Sequence, residues 1–234
     1  RSHNEDSVTI LKNDAGEYLL IVADGMGGHR AGEVASSMVV THLGKRFNDL
    51  VTVGTKYDAT NWLKDNISEI NHHIVEYASN NPESKGMGTT VVVALLTHDF
   101  LLYANVGDSS GFAMKNGHLL KVTKDHTLVQ LLVQAGDLTE EEAKYHPKKN
   151  VLMKALGGEE DVVPDIYEVD MSFDAILLSS DGLTNMLSNE AIEKVLNDPE
   201  LSVEDKVVKL IRKCNARGGT DNISVAYLVK ESGE

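Results

Sequence analysis

A mainly antiparallel α+β fold is predicted by three observations. Strand-like runs are joined by hairpin turns, and helical stretches come in adjacent pairs. Strand and helix do not alternate one for one, as they would in a doubly wound parallel sheet.

Arg1 to Asp6 is polar and leads into a strand at Ser7–Leu11. The turn Asn13-Asp14-Ala15-Gly16 returns the chain into an apolar strand at Tyr18–Ala23, a hairpin with a loop longer than two residues. Helices are predicted at about Ala31–Asn48 and Asn61–Ser79, where Val39, Leu43 and Phe47, then Ile67, Ile70 and Ile74, recur at helical spacing. The polar stretch from Asn80 to Lys85 contains Pro82 and reads as a loop.

Strands follow at Thr90–Leu96, Leu101–Val106, Gly111–Lys115 and His118–Val122, the last two joined by Asn116-Gly117, a strong hairpin signal. From Asp125 to about Gly158 the pattern turns helical and acidic, with a capping box at Thr139–Glu142. An insertion of this kind between strands reads as a flap over a site. Strands are expected again at Asp165–Val169 and Ala175–Leu178, helices at Ser188–Leu196 and Val203–Asn215, and a last strand at Ile223–Val229. No repeat, low-complexity tract or linker breaks the pattern, so residues 1–234 read as one domain.

Charge narrows the function. Lys and Arg number 22 against 36 Asp and Glu, a formal charge of −14, which argues against nucleic acid or an anionic membrane as partner. An anionic substrate stays open, because bound divalent cations invert local charge. No apolar run approaches the roughly 20 residues of a membrane span, and no signal-peptide pattern is visible. The single Cys214 cannot form an internal disulfide and sits in a helical stretch, so it reads as structural and suits a reducing compartment. A cytoplasmic location is expected.

The acids carry the chemistry. Asp6 precedes the first strand and Asp24 ends its hairpin partner, so an antiparallel pairing brings both to one end. Asp108 and Asp181 end two further strands, and Asp221 precedes the last. If the strands of Asp181 and Asp221 are antiparallel neighbours, all five carboxylates gather at one rim. Two carboxylates about 4 Å apart repel by roughly 4 kcal/mol at an effective dielectric of 20. Such a rim is therefore expected to hold cations, and all-oxygen ligation selects Mg²⁺, Mn²⁺ or Ca²⁺. Two ions about 3.5–4 Å apart can lower the pKa of a shared water and supply a hydroxide nucleophile for attack on phosphorus. Arg1 stands close in sequence to Asp6. A guanidinium suits a phosphate, although from spacing alone a frayed terminal residue is the better reading.

Taken in order, Arg1-x-x-Asn4-x-Asp6, Asp24-Gly25-Met26-Gly27-Gly28-His29, Gly88-Thr89-Thr90, Gly107-Asp108-Ser109, Ser180-Asp181-Gly182-Leu183 and Gly219-Thr220-Asp221-Asn222 resemble the metal-dependent type-2C (PPM) serine/threonine protein phosphatases, bacterial members above all. The resemblance covers nearly the whole chain. It implies a four-layer α-β-β-α sandwich, two mainly antiparallel sheets flanked by helix pairs. It also implies two Mg²⁺ or Mn²⁺ ions, with a third in bacterial relatives. Asp24 would bridge two ions and the Gly25 carbonyl would bind one. Asp181 and Asp221 would hold the other, with Asp6 and Glu5 acting through water and Asp108 serving the third. Arg1 would clamp the substrate phosphate, and Asn222 would orient ligands without touching an ion.

The implied reaction is hydrolysis of phosphoserine and phosphothreonine in proteins, with a membrane serine/threonine kinase among the substrates and a monomeric enzyme. The sequence departs from the family pattern at Met26, where animal relatives carry a histidine, and at Ser110 and Lys154, where Arg is frequent. Two other readings use the same residues: a phosphoprotein-binding pseudophosphatase and a calcium-binding structural domain. Intact Asp24, Asp181 and Asp221 favour the enzyme.

Overall fold

In the computed structural model, which describes residues 3–28 and 30–230, the chain begins with the predicted hairpin, β1 (Asp6–Lys12) and β2 (Tyr18–Met26). Their register pairs Asp6 directly with Asp24. Two long helices follow, α1 (Ala31–Asn48) and α2 (Lys56–Asn80). The second starts a full turn before the expected Asn61. Its first turn carries no apolar stripe and is instead stabilised by a capping box between Thr55 and Asp58.

The chain returns through the short β3 (Gly88–Thr89), then β4 (Val91–Leu96) and β5 (Leu101–Val106). Next come β6 (Ser110–Lys115) and β7 (His118–Lys121). The predicted flap contains α3 (Leu128–Ala135), closed by Gly136 in the left-handed region, and α4 (Glu140–Tyr145). The chain ends with β8 (Asp165–Val169), β9 (Ala175–Ser179), a one-turn helix α5 (Asp181–Thr184), α6 (Asn189–Leu196), α7 (Val203–Ala216) and β10 (Val225–Val229).

The strands form two antiparallel sheets, one ordered β1-β2-β4-β5-β8 with β3 beside β2, the other ordered β10-β9-β6-β7. Side-chain alternation sets the layers. On β2 and β4, Leu19, Ile21, Val91 and Val93 pack under α1 and α2 with Leu43, Phe47, Ile67 and Ile74. Their alternate neighbours Leu20, Val22, Val92 and Ala94 face the second sheet, meeting Ala113, Ile176, Leu178 and Ala226. The outer face of that sheet, with Phe112 and Leu177, is covered by Ile192, Val195, Leu210 and Cys214 of α6 and α7. The result is the four-layer α-β-β-α sandwich. Its two sheets end together at the rim where the acids lie.

Three expected boundaries shift at that rim, two of them for a common reason. Thr90 is expected to open a strand, but it separates β3 from β4. Its hydroxyl accepts the Asp24 N–H at 3.0 Å where a ladder carbonyl would stand. The final strand starts at Val225 and not Ile223, because the Ser224 N–H is likewise taken by the Ser180 hydroxyl at 3.0 Å. Asp181 does not end β9: Ser180 intervenes, and Asp181 opens α5.

Candidate metal centre

Asp24 lies near the end of β2, and its backbone is held on both sides. Its N–H donates to Thr90 Oγ1, and its carbonyl accepts from the Thr90 N–H at 2.9 Å and the Thr89 hydroxyl at 3.0 Å. Thr90 Oγ1 in turn lies 2.7 Å from Ser109 Oγ, which ties this point to the loop carrying Asp108.

The glycine after each key aspartate is required by close approach and not by a turn. Neither Gly25 nor Gly182 has a positive φ. A Cβ on Gly25 would lie 2.1 Å from the Gly32 carbonyl oxygen and 2.6 Å from that of Glu5; one on Gly182 would lie 2.0 Å from that of Asn222. The tight packing sets β2 against the start of α1, and α5 against the segment after Asp221.

Asp6 is fixed from the opposite sheet, since the Ser180 hydroxyl donates to its Oδ2 at 2.8 Å. Asn222 binds the segment before Asp6, its Oδ1 accepting the Glu5 N–H and its Nδ2 donating to the His3 carbonyl, each at 3.0 Å. The Asn222 N–H donates to Asp221 Oδ1 at 2.8 Å. Asn185 Nδ2 donates to Asp181 Oδ2 at 3.0 Å. Glu5 accepts the Gly25 N–H and the Ser36 hydroxyl through its carbonyl, at 3.1 and 2.6 Å.

The other four predicted aspartates are each within electrostatic reach of Asp24. Burial, followed by the charges of Asp6, Asp181, Asp108 and Asp221, pushes the pKa of Asp24 up to about 10. Burial and the neighbouring Asp181 and Asp125 push Asp108 up to about 7. Asp6 and Asp181 are also raised, by burial first, with Asp221 adding repulsion to each.

Among the described residues, no three His, Cys, Asp or Glu side chains are spread as a ready cage around an ion. The carboxyls instead crowd one another around Asp24. Two acceptors point to a cation even so. Asp6 Oδ1 and Asp181 Oδ1 are buried with no hydrogen-bond partner, a costly arrangement for a carboxylate oxygen without a cation. A set composed only of oxygens fits a hard divalent ion.

Of the other predicted residues, Arg1 lies outside the described residues, as does His29 of the glycine-rich loop. Sequence reasoning missed Thr90, Ser109, Ser180 and Asn185. It also missed His126, whose Nδ1 accepts the Gly107 N–H at 3.0 Å beside Asp108 and whose Nε2 lies 3.1 Å from Asp165 Oδ2. Thr90, Ser109 and Ser180 stand within motifs that the sequence shares with the family, whereas His126 has only an adjacent acid to mark it and Asn185 has no local signal.

The family model of protein phosphatase 2C matches residues 1–223. The chain belongs to the protein phosphatase 2C family. Among the family's members, the serine/threonine phosphatase stp of Listeria welshimeri is 42% identical over 226 residues, spanning 96% of this chain and 89% of that protein. The S. agalactiae serine/threonine phosphatase structure superposes with a TM-score of 0.92 at 41% identity, over 98% of this chain and 95% of that one. The catalytic domain of the phosphatase PstP, solved in complex with 2 manganese ions, superposes with a TM-score of 0.83 at 35% identity, over 97% and 91%. This phosphatase 2C member is a protein-serine/threonine phosphatase by the same relationships. Among its described residues, no helix is long and apolar enough to cross a membrane.

Proposed function

We propose that the chain removes phosphate from phosphoserine and phosphothreonine in proteins, as one domain over residues 1–234, with the acidic rim as its metal centre. The observation that carries this reading is the convergence of Asp6, Asp24, Asp108, Asp181 and Asp221 on one half-buried rim. Bound Mg²⁺ or Mn²⁺, two ions and a third beside Asp108, would neutralise the carboxylates and activate a water for in-line attack on phosphorus. Asp24 and the Gly25 carbonyl would hold the ions from one sheet, and Asp181 and Asp221 from the other. Asp6 and Glu5 would contribute through water.

The protein's remaining work is positioning. Asn222 braces both the Glu5 segment and Asp221. Thr89 and Thr90 fix the carbonyl next to the Asp24 carboxylate. Arg1 would clamp the substrate phosphate through a two-pronged guanidinium contact. In this reading a membrane serine/threonine kinase is among the substrates, and the enzyme works as a cytoplasmic monomer.

The test is turnover of p-nitrophenyl phosphate and of a phosphothreonine peptide with Mn²⁺, with Mg²⁺ and with chelator. Turnover is expected with either ion, chelator should remove it, and Asp24→Ala should abolish it while weakening ion binding measured by calorimetry. No hydrolysis above buffer in the presence of Mn²⁺ would leave the phosphoprotein-binding scaffold as the better account.

A further inference from the structure

A groove of about 730 Å³ lies between α1 and α2, outside the carboxylate rim. Its wall is formed by two i, i+4 rows on α1 and its N-cap. Arg30, Val34, Met38 and His42 make one row. Glu33, Ser37, Thr41 and Lys45 make the other. Ile70 and His73 of α2 close the opposite side.

Val34, Met38 and His42 are half-buried or nearly buried and form the floor, whereas Arg30, Lys45, His73 and His3 are exposed at the edges. Glu33 is the only carboxylate among these lining residues. In a chain of formal charge −14, a groove edged by Arg30 and Lys45 against the single carboxylate of Glu33, with the imidazoles of His3 and His73 beside them, is locally cationic. In the floor, His42 Nε2 is buried and stands 3.5 Å from Glu69 Oε2.

The groove opens at the catalytic rim. His3, at one end, accepts a hydrogen bond from Asn222 through its carbonyl. Gly32, just inside α1, backs onto Gly25. From Arg30 to Lys45 the helix rises about 22 Å at 1.5 Å per residue. An extended peptide covers that length with about seven residues at roughly 3.3 Å each.

Resting on the phosphatase reading above, we propose that this groove binds an acidic, extended segment of the phosphoprotein substrate. The segment would flank the phosphorylated residue, with carboxylates pairing to Arg30 near the rim and to Lys45 at the far end. Its apolar side chains would lie on Val34 and Met38. Charge complementarity selects this occupant over a basic peptide, and the open end at the rim selects a substrate segment over a surface remote from the chemistry.

The test compares kcat/KM, with Mn²⁺, for two phosphothreonine peptides that differ only in carrying Glu or Ala across about seven positions on each side of the phosphothreonine. The acidic peptide is expected to be favoured about fivefold, mainly through KM, the factor that about 1 kcal/mol represents for an exposed charge pair. Lys45→Glu should remove the preference and Lys45→Arg should keep it, while p-nitrophenyl phosphate turnover stays unchanged in both. A wild type that does not discriminate, or a preference that survives Lys45→Glu, overturns the proposal.

A second arm measures binding of the unphosphorylated acidic peptide by fluorescence anisotropy, without metal and at two salt concentrations. Binding should weaken about fivefold in Lys45→Glu and with added salt; equal binding by wild type and variant overturns the proposal. If wild type fails to turn over p-nitrophenyl phosphate, the phosphatase reading fails, and the anisotropy arm still decides the groove.

Discussion

The hydroxyl of Ser180, from the sheet of β9 and β10, donates to the carboxylate of Asp6, on the edge strand of the other sheet, at 2.8 Å. The same oxygen accepts the Ser224 N–H, so one side chain joins Asp6, Asp181 and the start of β10. Ser180→Ala leaves the Asp6 carboxylate and a buried N–H each short of a partner. A loss of about 1–3 kcal/mol is expected, read by thermal denaturation. Mn²⁺ should restore part of it, because the ion supplies Asp6 with a new partner. An unchanged melting temperature in chelator would show that the hydroxyl is dispensable.

The raised carboxyls dictate a pH response with a definite sign. Asp24, at about 10, and Asp108, at about 7, hold protons in the metal-free folded state that the unfolded chain releases near the ordinary Asp value of about 3.9. The unfolded state therefore binds fewer protons, and folding stability falls as pH rises. The contribution is fully present below about pH 3.9 and is lost through about 7 for Asp108 and about 10 for Asp24. In chelator the melting temperature should be lower at about pH 8.5 than at about pH 6. The stabilisation given by Mn²⁺ should be larger at the higher pH, where fewer protons compete for the carboxylates. A melting temperature that rises with pH in chelator would contradict the shifts.

Gly25→Ala tests close packing. The added methyl carbon would stand 2.1 Å from a backbone oxygen of α1, which cannot rotate aside. Overpacking of this sort costs typically about 1–3 kcal/mol. Here it would also displace the carbonyl assigned to an ion. Reduced stability together with weaker Mn²⁺ binding in calorimetry is expected; loss of stability alone would leave the Gly25 carbonyl out of the metal centre.

His126 ties the flap to the loop of Asp108. Its N–H donates to the Gly107 carbonyl at 2.9 Å, its Nδ1 accepts the Gly107 N–H, and its carbonyl accepts the Met153 N–H at 2.8 Å. Asp165 orients the ring, and Lys154 lies 3.7 Å from the same carboxylate while donating to the Val163 carbonyl. His126→Ala should expose the segment from 125 to 158 to limited proteolysis, with a stability loss of about 1–3 kcal/mol for the orphaned Gly107 N–H. Asp165→Asn should act more weakly, because Asp165 is 49% exposed. Equal protease resistance in wild type and His126→Ala would remove the tether.

Arg1→Ala should raise KM for a phosphopeptide more than it lowers kcat, as expected for a group that mainly binds the phosphate. An unchanged KM would take Arg1 out of the clamp role.

The layered core was legible because alternating apolar residues on β2 and β4 divide between two interiors, and helical stripes such as Ile67–Ile70–Ile74 match one of them. The first turn of α2 was not, because Lys56–Thr60 lacks that stripe and depends on a local cap. One-turn α5 and two-residue β3 are too short to show a period. At the rim, acids at strand ends and the pairing of Asp6 with Asp24 follow from hairpin geometry alone. The hydroxyls that interrupt the ladders do not. Thr90 meets Asp24 across 66 positions and Ser180 meets Asp6 across 174, and nothing local distinguishes such residues from ordinary polar neighbours.

Asp6 and Asp24 belong to one sheet, while Asp181 and Asp221 flank strands of the other, and between the sheets lies the apolar interior of Leu20, Val22, Ile176 and Leu178. Neither half of the sandwich owns a complete set of oxygens. Sliding or parting of the two sheets would dismantle the proposed metal centre while each sheet kept its own hydrogen bonds. An ion seated there would act as a cross-brace whose occupancy reports the alignment of the whole molecule.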